Sequence, residues 1–253
     1  MIESLIGMLQ ANNPILIIMA GLMIGLIHAF EPDHLSAIST QLLTKNNNTI
    51  TSKKQGLRSL TISCSLRGTL WGMGHTSTII LIGLLIAGLS LNIPNNFFLS
   101  AEVVVGFMLI VLGIFTVANK SIFKQKHIHP HKHSNGIAHT HPHNHNTNHK
   151  HGHKSYLIGC IHGIAGSGSL VAIAASTING FDMIIYFLIL FGIGSIIGMT
   201  VASGMLGLPF ILSSKISSVT KYLRYAIAGV TFVIGANIIF TIGFNTNLFL
   251  LIK

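Results

Sequence analysis

Six apolar stretches, each close to the roughly 20 residues that a spanning helix needs, run the length of this chain. The first covers about residues 14–29 and continues, broken, towards 43. The others cover about 68–89, 99–118, 156–177, 183–206 and 223–244. Only 8% of the 253 residues are charged and 50% are hydrophobic, against about a quarter charged in a soluble domain. A soluble globule of this make-up would lack a polar surface. The expected fold class is therefore an all-α integral membrane protein of about six transmembrane helices. The 26 glycines suit closely packed spanning helices.

The charges test that count. There are 15 Lys and Arg against 5 Asp and Glu, a balance that would raise the question of nucleic acid in a soluble protein. Here the basic residues fall in alternate gaps. Lys45, Lys53, Lys54, Arg58 and Arg67 follow the first stretch. Lys120, Lys124, Lys126, Lys132, Lys150 and Lys154 follow the third, and Lys215, Lys221 and Arg224 follow the fifth. The gaps after the second and fourth hold none, and Lys253 alone lies beyond the last stretch. By the positive-inside rule the basic gaps face the cytoplasm and both termini lie outside. The chain is thus expected to be a multi-pass protein of the cell membrane, with the lipid bilayer as its surroundings and no nucleic-acid partner. Glu3 with no basic residue before Lys45 is unlike the head of a cleaved signal peptide, so the first stretch is expected to be retained. Cys64 and Cys160 are too few for a disulfide framework.

The chain divides into a first membrane half (1–119), a His-rich loop (120–154) and a second membrane half (155–253). Gly25-Leu-Ile-His28 resembles Gly159-Cys-Ile-His162, and Gly106 and Gly113 loosely echo Gly229 and Gly235. Three helices per half would give the halves opposite orientation, the 3+3 inverted repeat common in transporters. Chance alignment of Gly- and Ile-rich helices explains the same few residues equally well.

Ionisable groups at membrane depth are costly and mark pathways or sites. Four of the fifteen histidines, His28, His34, His75 and His162, fall in or beside apolar stretches. Two of the five acids, Glu31 and Asp33, sit with them in the motif HAFEPDH, residues 28–34. On an unbroken helix, at about 100° per residue, Asp33 and His34 would point well away from His28. Pro32 removes an N–H, and its ring clashes with the carbonyl four residues back, that of His28. A bend or unwound turn is expected there. It would swing His28, Asp33 and His34 towards one point and free backbone carbonyls. Imidazole suits Ni, Co, Cu and Zn, and carboxylate neutralises a divalent cation, so two His with Asp33 and Glu31 form a plausible ligand set. The plainer alternative is a solvated end of the first helix, with Asp33 capping the next segment.

A second cluster, GMGHTST (72–78), carries His75 among glycines and hydroxyls. Its hydroxyls can bond carbonyls of their own helix, and His75 is either a core histidine or part of the same site. The third, HGIAGSGS (162–169), carries His162 with glycines that permit close backbone approach. Tight packing and function explain it about equally. The glycines from 192 to 207, with Pro209, read mainly as packing or a kink.

The remaining eleven histidines, His127, His129, His131, His133, His139, His141, His143, His145, His149, His151 and His153, lie in a low-complexity loop. It cannot bury a core and is expected to be disordered without metal. Neutral imidazoles at this density make it a metal buffer or sensor on the cytoplasmic side.

These motifs resemble a known group. HAFEPDH fits the Hx4DH signature of the nickel/cobalt transporter (NiCoT) superfamily, and GMGHTST with Ile79 and Ile80 is similar to its second signature. The EPDH form and the runs RGTLWGMGH (67–75) and HGIAGSGSL (162–170) look most like the urease-accessory, UreH-like permease branch, while the His-rich loop resembles the nickel/cobalt efflux branch. The resemblance implies a permease for Ni²⁺ or Co²⁺, carried as substrate and not held as a permanent cofactor. It makes His28, Asp33, His34 and His75 candidate ligands, with Glu31 and His162 able to join. The larger importers have Arg before the first His and the form HAxDADH, where this chain has Ile27, Glu31 and Pro32, and they have more helices. These departures bear on metal preference and direction.

No phosphate-binding loop of the Walker type is present, so the chain is not expected to be an enzyme that hydrolyses nucleotide. The membrane potential, a proton gradient or a partner would drive transport. Import would suit delivery to urease or hydrogenase maturation proteins, and export would suit detoxification. An intramembrane serine protease would carry G-x-S-G, and this chain has Ala165 where the first glycine should precede Ser167. A thiol relay of the cytochrome c biogenesis kind needs paired cysteines at matching places, and Cys160 is matched by Leu26. A metal sensor that does not transport is the remaining alternative.

Overall fold

The computed structural model describes residues 13–43, 56–89, 93–119, 130–132, 138–140, 152–166, 174, 177–213 and 216–245. They form seven α-helices: α1 (Pro14–His28), α2 (Pro32–Leu43), α3 (Leu57–Gly88), α4 (Asn95–Val117), α5 (Gly152–Gly166), α6 (Phe181–Ser213) and α7 (Ser217–Phe240), the last running into a π-helical turn, Thr241–Asn245. Four of these helices are long and apolar enough to cross a membrane, and the bent pair α1–α2 makes a fifth if it is one span. The expected span at 156–177 is represented by α5 as far as Gly166, and residues 167–173 lie outside the described set. The outer faces are apolar, with Met19, Leu81, Phe107, Ile197 and Val233 among many exposed large side chains. In water such patches would drive association; against lipid they are the expected surface.

The break in the first span sits where the sequence predicts it, with a different local geometry. α1 and α2 meet at 52°. The Phe30 N–H donates to the Ile27 carbonyl at 2.9 Å and the Glu31 N–H to the His28 carbonyl at 3.1 Å. The carbonyls expected to be freed are thus bonded in a tight turn. Pro32 takes the first position of α2, where its missing N–H has no helical partner to lose.

Other boundaries differ from expectation. α3 starts at Leu57, so Arg58 and Arg67, expected in a loop, lie in a helix. A helix keeps its own hydrogen bonds through the polar boundary, so α3 continues past the apolar stretch, with Arg58 exposed and one guanidinium nitrogen of Arg67 buried against α2. α6 runs through Pro209 to Ser213, because spanning helices tolerate one lost backbone bond when neighbours support them. In the His-rich loop, Pro130–Lys132 pairs antiparallel with Ala138–Thr140, with His131 opposite His139. That short ladder departs from the expected absence of regular structure. His127, His129, His133, His141, His143, His145, His149 and His151 lie outside the described residues, and His153 is in the first turn of α5.

Glycines set the helix pairing. A Cβ on Gly25 would strike the Phe191 carbonyl, and one on Gly194 the Leu22 carbonyl, so α1 and α6 touch backbone to backbone. A Cβ on Gly159 would strike the Trp71 carbonyl, and one on Gly74 the Tyr156 carbonyl, so α5 and α3 touch in the same way. The two crossings match residue for residue: Gly25 corresponds to Gly159, Leu22 to Tyr156, Phe191 to Trp71 and Gly194 to Gly74. α4 packs on α7 with Gly106 against Gly235. Gly113 faces the Ala228 carbonyl at 3.0 Å and Gly229 faces open space, so of these four glycines only Gly106 and Gly235 meet each other.

Candidate metal site

Four helices deliver the polar residues to one place. His28 ends α1, Asp33 and His34 open α2, His75 lies midway along α3, and His162 lies near the end of the described part of α5. The turn at Ala29–Glu31 brings the first three together. The close α3–α5 crossing brings His75 to His162: a Cβ on Gly163 would strike the His75 carbonyl. All four histidines are at most 2% exposed. The alternative of a solvated helix end does not hold for them.

The contacts are specific. His28 Nε2 and His75 Nε2 face each other at 3.3 Å. Asp33 bridges two rings, with Oδ1 2.8 Å from His34 Nδ1 and Oδ2 2.9 Å from His162 Nε2. Glu31 Oε1 lies 3.0 Å from His28 Nδ1, and its other oxygen lies 3.9 Å from His34 Nδ1. His34 Nε2, His75 Nδ1 and His162 Nδ1 are buried with no hydrogen-bond partner among the described residues. A buried polar atom without a partner costs about 1–3 kcal/mol, so leaving three together needs a reason.

Metal coordination supplies one for His34 Nε2 and His162 Nδ1, the ring nitrogens that Asp33 leaves free. Ligand atoms of His28, His34 and His75 lie within 4.8 Å of one another, as do those of Asp33, His34 and His162. An imidazole–metal bond is about 2.0–2.1 Å for zinc. Two such bonds meeting between a right and a tetrahedral angle span a gap like that between His28 and His75. Carboxylates bonded to the second ring nitrogen are the usual way a ligating imidazole is oriented, and Glu31 does this for His28 as Asp33 does for His34. Glu31 is 46% exposed at its side chain and belongs to neither three-residue group, so it lies beside the cluster.

Aromatic rings wall the site. Trp71 stacks on His75, with centroids 5.6 Å apart and planes 13° apart, and meets His34 and His162 edge-on at 5.4 and 5.2 Å. Phe191 lies 5.4 Å from His28, the place that Trp71 holds beside His162. Sequence reasoning missed Trp71, although the only tryptophan stands four residues before His75 and so shares its helix face. It also missed Ser195, fully buried, whose Oγ donates to the Gly25 carbonyl at 3.2 Å. In the matched crossings Ser195 holds the position of His75. The hydroxyls of 76–78 are structural: Ser77 and Thr78 bond carbonyls of α3, and Thr76 reaches the Gly192 carbonyl of α6 at 3.3 Å. Cys64 and Cys160 are both free.

Over 233 residues, 92% of this chain and 94% of the relative, the sequence is 31% identical to the urease accessory protein UreH of Bacillus sp. (strain TB-90). The chain belongs to the UreH family. It is the branch of the nickel/cobalt transporter superfamily that the HAFEPDH and RGTLWGMGH runs resemble. No family model matches the chain, and no solved structure matches it. The relative's name makes it an accessory of urease and not the enzyme, and this UreH-like chain is a multi-pass membrane protein with a His/Asp cluster that fits a metal ion.

Proposed function

We propose that this UreH-like protein carries Ni²⁺ or Co²⁺ across the cell membrane through the cluster of His28, His34 and His75, with Asp33 and His162 completing it. The observation that carries the reading is the convergence of three buried imidazoles from α1, α2 and α3 whose ligating atoms lie within 4.8 Å of one another. Nitrogen-rich sets favour nickel, cobalt, copper and zinc over magnesium and calcium. Membership of a urease accessory family favours nickel among these, because its relative serves an enzyme by name. Asp33 neutralises cation charge and fixes two rings at once. Glu31 fixes the ring of His28, leaving its Nε2 for the ion.

The matched crossings α1–α6 and α5–α3 support an inverted repeat, with the site between the halves as in other transporters. The His-rich loop, on the cytoplasmic side by its charge, would buffer or sense the ion that emerges there, close to urease maturation proteins that take up nickel.

The test is metal binding by the purified chain with its eleven loop histidines replaced by Ser. One Ni²⁺ or Co²⁺ per chain is expected after equilibrium dialysis. His28→Ala and Asp33→Asn in that background should lose it while remaining folded and membrane-inserted. Equal binding by both variants would overturn the site.

A further inference from the structure

Glu102 is the one charged residue of α4 and lies in its third turn. Among the described residues no basic side chain lies within ion-pair distance of it, and no hydrogen bond holds it. A carboxylate at membrane depth is costly and faces a cavity or a pathway. Glu102 faces a cavity of about 540 Å³ between α2, α4 and α7, whose other polar lining is Glu31, Asp33 and Asn237. Asp33 also lines the cavity; its side chain is 17% exposed and is bonded to His34 and His162. At about 30 Å³ per water, a divalent cation with six waters fits.

The opposite end of α2 packs on α3. Gln41 and Leu42, in its last turn, meet Arg67, Gly68 and Trp71 of α3 across a gap with no room for a water molecule. Twelve helical residues at about 1.5 Å each separate the two ends by roughly 18 Å. At one end, then, the cluster meets a cavity lined by three carboxylates, Asn237 and apolar side chains of α4 and α7. At the other lies a dry contact that includes the Arg67 side chain.

We propose that the Glu102 cavity is the aqueous route by which the hydrated cation reaches Asp33, that Glu102 is the carboxylate that recruits it, and that Arg67 closes the far side in this state. The proposal rests on the transport reading above. Long-range attraction by a carboxylate raises local cation concentration and acts on arrival. Salt screens it with a Debye length of about 10 Å at 0.1 M.

The experiment uses Ni²⁺ alone as the probe. Flux in proteoliposomes should show that Glu102→Gln raises the concentration for half-maximal transport about tenfold, with maximal flux within about twofold of the parent. That gap should shrink as ionic strength rises, and Glu102→Asp should restore most of it. A packing role would not respond to salt. In a chain with Cys64→Ser and Cys160→Ser, Glu102→Cys and Asn237→Cys should react with a membrane-impermeant cationic thiol reagent from one side of the membrane only. Gln41→Cys should be unreactive from that side. The proposal is overturned if Glu102→Cys and Asn237→Cys react only with lipid-soluble reagents, which would make the cavity a lipid crevice. It is also overturned if Glu102→Gln leaves half-maximal concentration and salt response unchanged. Labelling needs no transport, so a chain that moved no Ni²⁺ would count against the transport reading and leave the cavity's aqueous character to be decided by the thiols.

Discussion

At the scale of single residues, the site is an arrangement of ring nitrogens sorted by carboxylates. Glu31 takes Nδ1 of His28 and so presents Nε2 to His75 at 3.3 Å. Removing such an orienting partner typically costs 10–100-fold in metal affinity. Glu31→Ala is therefore expected to weaken Ni²⁺ binding by about that factor in competition with a chelator, with stoichiometry kept. Loss of the ion altogether would make Glu31 a direct ligand, and no change would leave its contact with His28 without a role. Much of this was legible in HAFEPDH, because four polar side chains against an apolar span have no cheap place except a site. Trp71 and Ser195 were not legible: one reads as ordinary core and the other as an ordinary hydroxyl. Their positions come from helix crossings that bring together residues far apart in sequence, Trp71 with His162 and Ser195 with Gly25.

At the scale of elements, the break at Pro32 and the glycine crossings do the positioning. Gly159 and Gly74 let α3 and α5 touch where His75 and His162 must converge, and the atoms that a Cβ would strike are backbone carbonyls, which cannot rotate aside. Gly159→Val is expected to cost about 1–3 kcal/mol, the usual range for overpacking, and to lower the thermal midpoint in detergent together with metal binding. Gly229→Ala is the control: nothing lies within 4 Å of that position, so its midpoint should not fall. Equal behaviour of the two variants would contradict the crossing. The sequence made the broken first span visible because proline has a local mechanical consequence. It hid the early start of α3, because two arginines read as a loop until the helix is seen to continue past the apolar boundary.

At the scale of the whole molecule, two glycine-matched crossings, α1 on α6 and α5 on α3, join helices from either side of the His-rich loop, and the cluster draws on α1, α2, α3 and α5. The first half alone carries the acid and second histidine of the HAFEPDH motif; the aligned positions of the second half are Ser167 and Gly168. The packing is thus near-symmetric and the ligands are not. The His-rich loop lies apart from the cluster in sequence, so deleting residues 127–149 should shift apparent affinity or regulation by cellular metal more than maximal flux. A loss of maximal flux at normal protein level would place the loop in the pathway itself.

The most direct test of the central claim is total nickel and cobalt, by mass spectrometry, in cells that lack their own nickel transporters and express either this chain or its His28→Ala variant at equal membrane levels. Transport through the cluster requires a change in nickel or cobalt content with the unmodified chain that disappears with His28→Ala, a rise marking import and a fall marking export. Identical content of both metals in the two strains would contradict it.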